Sequence, residues 1–203
     1  VDAWLRTGTF PTWGEILEAF VERTFREPND ARVLVLTQAA ARAGLERLAA
    51  ARVLSRKSFV AHPREPVGDD ALSARTLFRD WEESKLFELF EHPVLIPKGR
   101  DGRAVQLPDN WVAHYLAACW LHSRIKNGLD VEVVLAHLVV ALAGETKRYI
   151  PSGWHAVLGW TATHNDKMRQ ALLAEFPEVV LFEGDPRALS DREVLAGLTT
   201  LWS

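Results

Sequence analysis

Histidines, acidic pairs and one cysteine are the side chains in this sequence that could do chemistry, and their spacing argues against most of it. His114 and His122 fall on one helical segment and His137 on the next, which raises the possibility of a metal held by three imidazoles. Metal-binding pairs on a helix sit at i and i+4, however, and eight residues separate two side chains by about 12 Å of helix rise, too far for one ion. Packed or solvent-facing histidines are the better reading. The doublets Asp69-Asp70 and Glu82-Glu83 resemble paired carboxylates, but adjacent residues on a helix point in different directions. Both doublets lie at expected helix starts, where negative charge is favoured, so capping accounts for them. GETK at 144–147 offers one glycine where a phosphate loop needs two before its lysine, and no G-x-x-x-x-G-K-[ST] occurs. No Ser/His/Asp set, dinucleotide loop or cysteine-nucleophile context stands out. The sequence therefore assigns no catalytic, cofactor-binding or metal-ligating residue, and no cofactor, to this chain.

The elements that would position such groups are mostly helices. Thr12 and Glu15 make a capping-box pattern ahead of Trp13, Ile16, Leu17, Phe20 and Val21, so a first helix is expected over 13–26, ended by Pro28. Asn29 or Asp30 is expected to cap a second, ARVLVLTQAAARA, interrupted by Gly44 before LERLAAARVL resumes the apolar face. SRKSFVAHPREPVGDD reads as a loop with a possible short strand at SFVAH, and its prolines and Gly68 mark the expected internal boundary. Helices follow near 73–80, capped by Ser73, and 83–91. VLIP and RAVQL, separated by a turn with Asp101-Gly102, then predict a β-hairpin. Two helices, a hairpin and a further helix make a winged-helix-like unit. Beyond it the pattern is purely helical: 110–126 headed by Asp109 and Asn110, 131–143 closed by Gly144, a short helix from Ser152, one over 165–176, and one opened by the capping box of Ser190 and Glu193. The expected fold class is mainly α: an N-terminal helical segment over 1–68, the winged-helix-like unit over 69–107, and stacked helical repeats over 108–203.

Bulk composition narrows the partners. With 48% hydrophobic and 25% charged residues the chain has the makeup of a globular protein, and a net charge of −3 with a pI near 6.2 gives no electrostatic reason to expect nucleic acid or an anionic membrane. WEESKLFELFEH, where a recognition helix would lie, carries four acids against one lysine. Cys119 is the only cysteine, which fits a reducing cytosol, and no apolar run approaches a membrane span. The start at Val1 and the end at LTTLWS suggest a piece of a longer protein.

LPDNWVAHYLAACWL, residues 107–121, resembles the segment that closes the winged-helix region of NACHT-type signal-transducing NTPases, which reads like F-x-H-R-S-x-x-E-Y-L-A-A-x-W-L. The match lies in Leu107, Tyr115, Leu116, Ala117, Ala118, Trp120 and Leu121. LERLAAARVL, Asp80-Trp81 and LFELFEHPVL are similar to the approach to that helix, and the stretch from GWTATHNDKM to LSDREVLAGL is similar to the first helical repeats, with Pro177, Glu178, Gly184, Asp185 and Pro186 in order. The resemblance implies a regulatory and sensing scaffold of a bacterial signal-transducing NTPase, acting through a protein partner or the rest of its parent, in defence against phage. It also implies a histidine near the head of the helix that touches nucleotide phosphate. Asp109 stands at that position here, and Asn110, Trp111 and His114 replace the motif's arginine, serine and glutamate. A carboxylate caps a helix well and repels phosphate, so no nucleotide contact is carried over.

Arg56 and His62 form an R-x5-H pattern that resembles the arginine–histidine signature of HEPN ribonucleases, whose pair would act on an RNA phosphate and a 2′-hydroxyl proton. Pro63 disfavours helix at His62, where that family needs one. A ribonuclease using Arg56 and His62, and a stand-alone helical adaptor, are the alternatives to the scaffold reading.

Overall fold

The computed structural model describes residues 11–26, 35–98, 102–141 and 148–202. Helix α1 spans Trp13–Arg26 behind the expected box, in which Glu15 N donates to Thr12 Oγ1 at 3.1 Å and Thr12 N to the Glu15 carboxylate at 2.7 Å. The cap expected at Asn29 or Asp30 lies outside the described residues. Within them, α2 starts behind Thr37, whose hydroxyl accepts from Ala40 N, and runs unbroken over Gln38–Ser55. Gly44 does not interrupt it. The glycine is needed for close approach instead, since a Cβ there would lie 2.7 Å from the Trp81 ring and 2.8 Å from Leu89.

A small sheet follows, ordered β2-β1-β4-β3. Strand β1 (Phe59–Ala61) realises the run at SFVAH, and its neighbour β2 (Ala71–Ser73), parallel to it, was not foreseen. The helix expected at 73–80 is a single turn, α3 (Ala74–Leu77), capped by Ser73, and α4 (Glu83–Phe90) follows. β3 (Ile96–Lys98) and β4 (Ala104–Gln106) form the expected antiparallel hairpin, registered by Pro97 opposite Val105; Asp101 lies outside the described residues, and Gly102 has the left-handed φ of +65° that such a turn takes from glycine. β4 also pairs antiparallel with β1 through Val60 and Val105. The order helix, two strands, single helical turn, helix, hairpin is winged-helix-like with one added strand, β2, and it begins with α2. The boundary expected at residue 68 therefore runs through a hydrogen-bonded sheet, because β1 and β2 lie on either side of it.

Helix α5 (Asn110–Lys126) is the axis of the molecule. Its Ala113, Ala117 and Ala118 are fully buried, as are Leu45, Leu48 and Ala49 of α2, against which it packs most extensively, and its other side meets α7 (His155–His164). An expected boundary at 107 thus separates α5 from the helix it packs against most. α6 is shorter than expected, Val131–Leu138, because Val139 takes an extended conformation and Val140–Ala141 pairs with Arg148–Tyr149 as strands β5 and β6. Consecutive β-branched residues favour that extension. The expected Gly144 stop and GETK lie outside the described residues.

A 3₁₀ turn at Ser152–Trp154 leads into α7. α8 (Asp166–Glu175) is capped by Asn165, α9 (Pro177–Glu183) opens on proline, and α10 (Asp191–Leu201) carries the complete Ser190–Glu193 capping box. α7 and α9 touch through backbone: a Cβ on Gly159 would fall 2.7 Å from Gly184 N and 2.8 Å from Val179 O. The described residues are mainly α-helical, with two small sheets.

Candidate functional site

The head of α5 is the first place to look, and Arg52 on α2 is what the sequence left out. Asp109 caps the helix as expected, its carboxylate accepting from Trp111 N at 2.6 Å. Asn110 Oδ1 accepts from Arg52 Nη2 at 3.0 Å, while Arg52 Nη1 is shut off from solvent with no hydrogen-bond partner. Burial lowers the Arg52 pKa, and burial followed by the charge of Arg52 lowers that of His114 nearby. The signal for Arg52 was its place in LERLAAARVL, two turns beyond Leu45 on a helix that must pack somewhere; nothing local told against which helix.

A second polar centre joins five residues from three helices. Glu18 of α1 accepts from Arg42 Nη1 and Nη2 of α2 at 2.8 and 2.9 Å, and from the Tyr115 hydroxyl of α5 at 2.7 Å. Arg42 Nε donates to Glu46 at 2.7 Å, and its Nη2 lies 3.8 Å from Cys119 Sγ. The Arg42 hydrogen bonds hold Glu18 below the usual carboxylate range, whereas burial holds Glu46 above it. Burial also opposes the Arg42 charge, but the two carboxylates outweigh it and push the pKa up. Burial, with Glu46 beside it, raises the Cys119 thiol to about 11, so it stays protonated and is no nucleophile at neutral pH. Tyr115 is pushed up by burial as well. The centre ties α1, α2 and α5 together.

The other sequence candidates are dispersed. Among the described residues no group of three or more metal-ligating side chains converges. His122 lies 6.0 Å from His164, ring to ring, rather than beside His137, whose Nδ1 sits 2.7 Å from Val133 O. Arg56 caps α2 in the left-handed conformation, φ +56°, with its guanidinium 5.4 Å over the Trp154 ring. His62 follows β1, not a helix, and lies between Phe87 and Phe90 at 5.5 and 5.6 Å. The two residues of the R-x5-H pattern thus occupy separate aromatic settings. Asp69 and Asp70 are exposed, Glu82 pairs with Lys85, and Glu83 pairs with Arg75, so neither acidic doublet faces a common centre. Compared with family models, with curated proteins and with solved structures, the chain finds no match.

Proposed function

We propose that the chain is a non-catalytic regulatory and sensing scaffold of a bacterial NACHT-like signal-transducing NTPase, working in the cytoplasm through contacts with a protein partner or with the rest of its parent, in defence against phage. The observation that carries this reading is α5, which is clasped by the winged-helix unit on one side and by the helical stack on the other. A displacement of either layer is passed to the other through one rigid element, which is what a coupling module needs. The far end of the stack supports it too: Phe182 on α9, Leu195 on α10 and Trp202 just past α10 stand 72%, 67% and 83% exposed, apolar side chains suited to further protein contact. At the head of α5 the Asp109 carboxylate already takes the amide that a phosphate would use, so the scaffold reading does not include nucleotide binding.

Calorimetric titration of the 203-residue chain with Mg-ATP and Mg-ADP tests this. Binding no tighter than that of an unrelated helical protein is expected; micromolar binding that is lost on Asp109→Ala would contradict it. A P-loop is expected in the sequence encoded ahead of Val1 in the parent gene. Its absence there would turn the reading toward a stand-alone helical adaptor.

A further inference from the structure

We propose that His122 of α5 and His164 of α7 together hold one divalent transition-metal ion, Zn²⁺ by the chemistry of the pair, and so pin the two helices to each other. The inference rests on the two imidazoles and holds whether or not the parent is an NTPase. Their ring centres lie 6.0 Å apart with the ring planes at 59°. A Zn–N bond of about 2.0–2.1 Å places the ion about 3 Å from each ring centre, so two imidazoles on one tetrahedral ion stand about 5–6 Å apart. The observed separation fits. Flipping either ring barely moves its centre, so the fit does not depend on which nitrogen faces the ion.

The nitrogens are available for it. His92, His137 and His155 each have a ring nitrogen engaged by the main chain. Among the described residues no ring nitrogen of His122 or His164 makes a hydrogen bond, and His122 Nδ1 is shut off from solvent as well. A buried nitrogen without a partner is a cost that ring packing does not return, and a coordinated ion removes it. Burial and then Lys126 lower the His122 pKa, while burial and then His122 lower that of His164, so both rings are neutral at pH 7 and keep the lone pair that a metal takes. Of the other charges that act on His164, Glu18 and Asp185 favour a cation and Arg42 opposes it. His164 also lines a cleft of about 570 Å³ with Lys126, Asp130, Asp166 and Lys167, which admits the ion and leaves room for the water that completes its shell. Imidazole donors select Zn²⁺, Ni²⁺ or Cu²⁺ over Mg²⁺ and Ca²⁺, and two of them with water make an exchangeable site rather than a permanent four-ligand structural one. Occupied, it clasps the seam between α5 and α7.

Calorimetric titration of the full 203-residue chain with ZnCl₂ tests the proposal, on protein prepared without a histidine tag and stripped of metal by a chelator. One equivalent is expected to bind with micromolar Kd, and excess Zn²⁺ to raise the urea midpoint. His122→Gln and His164→Gln are each expected to weaken binding by about tenfold or more, whereas His137→Gln leaves it unchanged. Lys126→Gln keeps both imidazoles and removes the cation beside His122, so it is expected to tighten binding a few-fold even if the histidine variants fold poorly. Binding weaker than millimolar would overturn the site. So would affinity that survives both histidine substitutions, affinity that falls as far with His137→Gln, or a Lys126→Gln chain that binds no more tightly.

Discussion

The winged-helix side and the helical stack are built to different tolerances. Around the wing, side chains meet side chains: Arg64 lies 4.2 Å over Phe87, His62 is held between Phe87 and Phe90, and Trp81 and Leu89 close over Gly44. In the stack, backbone meets backbone, with Gly159 of α7 against Gly184 and the last turn of α9. Side chains can change rotamer and yield; a packed main chain moves only with its whole helix. The same perturbation should therefore cost more in the stack than beside the wing.

Adding one methyl to each region gives the largest contrast. Gly159→Ala puts a Cβ 2.7 Å from main-chain atoms, and a loss of about 3 kcal/mol or more is expected from that overpacking. Gly44→Ala meets only the ends of the Trp81 and Leu89 side chains, and alanine is the better helix former, so a net loss of about 1 kcal/mol is expected. Urea denaturation of both variants measures the gap; equal losses would erase the distinction between the regions.

Acid should sharpen the comparison next. Burial lowers the pKa of His62 and His92 on the wing side and of His114, His122 and His164 in and around α5 and α7, from an ordinary 6.5. The unfolded chain then binds protons that the folded chain refuses, so stability is full at pH above about 6.5 and is lost as the pH falls below it. The urea midpoint should drop between pH 7.5 and pH 5.5. A midpoint that rises over this interval would show that the imidazoles gain partners on folding.

The smallest effect belongs to the wing. Arg64→Ala removes a cation held against the Phe87 face at the surface, and a loss of about 0.5–1 kcal/mol is expected from thermal melts. A loss above that of Gly159→Ala would invert the ranking of the two regions.

What could be read in advance follows from whether the cause was local. Ser190 with Glu193, Asn165, Ser73 and Asp109 all cap the helices they precede, because a cap needs only residues within one turn. The hairpin from Ile96 to Gln106 was legible for the same reason. Gly44 read as a break since nothing near it in sequence reveals that Trp81 and Leu89 press on that spot. β2 escaped notice because a three-residue parallel strand exists only through its partner. α7 has no polar face to give it a period: Val157, Leu158, Trp160, Thr161 and Ala162 are buried in succession. Of the polar centre, Arg42 and Tyr115 lie 24 and 97 residues from the Glu18 carboxylate they share, and no spacing rule reaches that far.

Strand β1 is hydrogen-bonded on both edges, to β2 beyond the 62–70 loop and to β4 of the hairpin. A protease that nicked the chain between Pro63 and Asp70 would consequently release nothing. The two fragments would stay annealed through three strands and the α2–α5 seam, and separately prepared halves cut at this loop should reassemble when mixed.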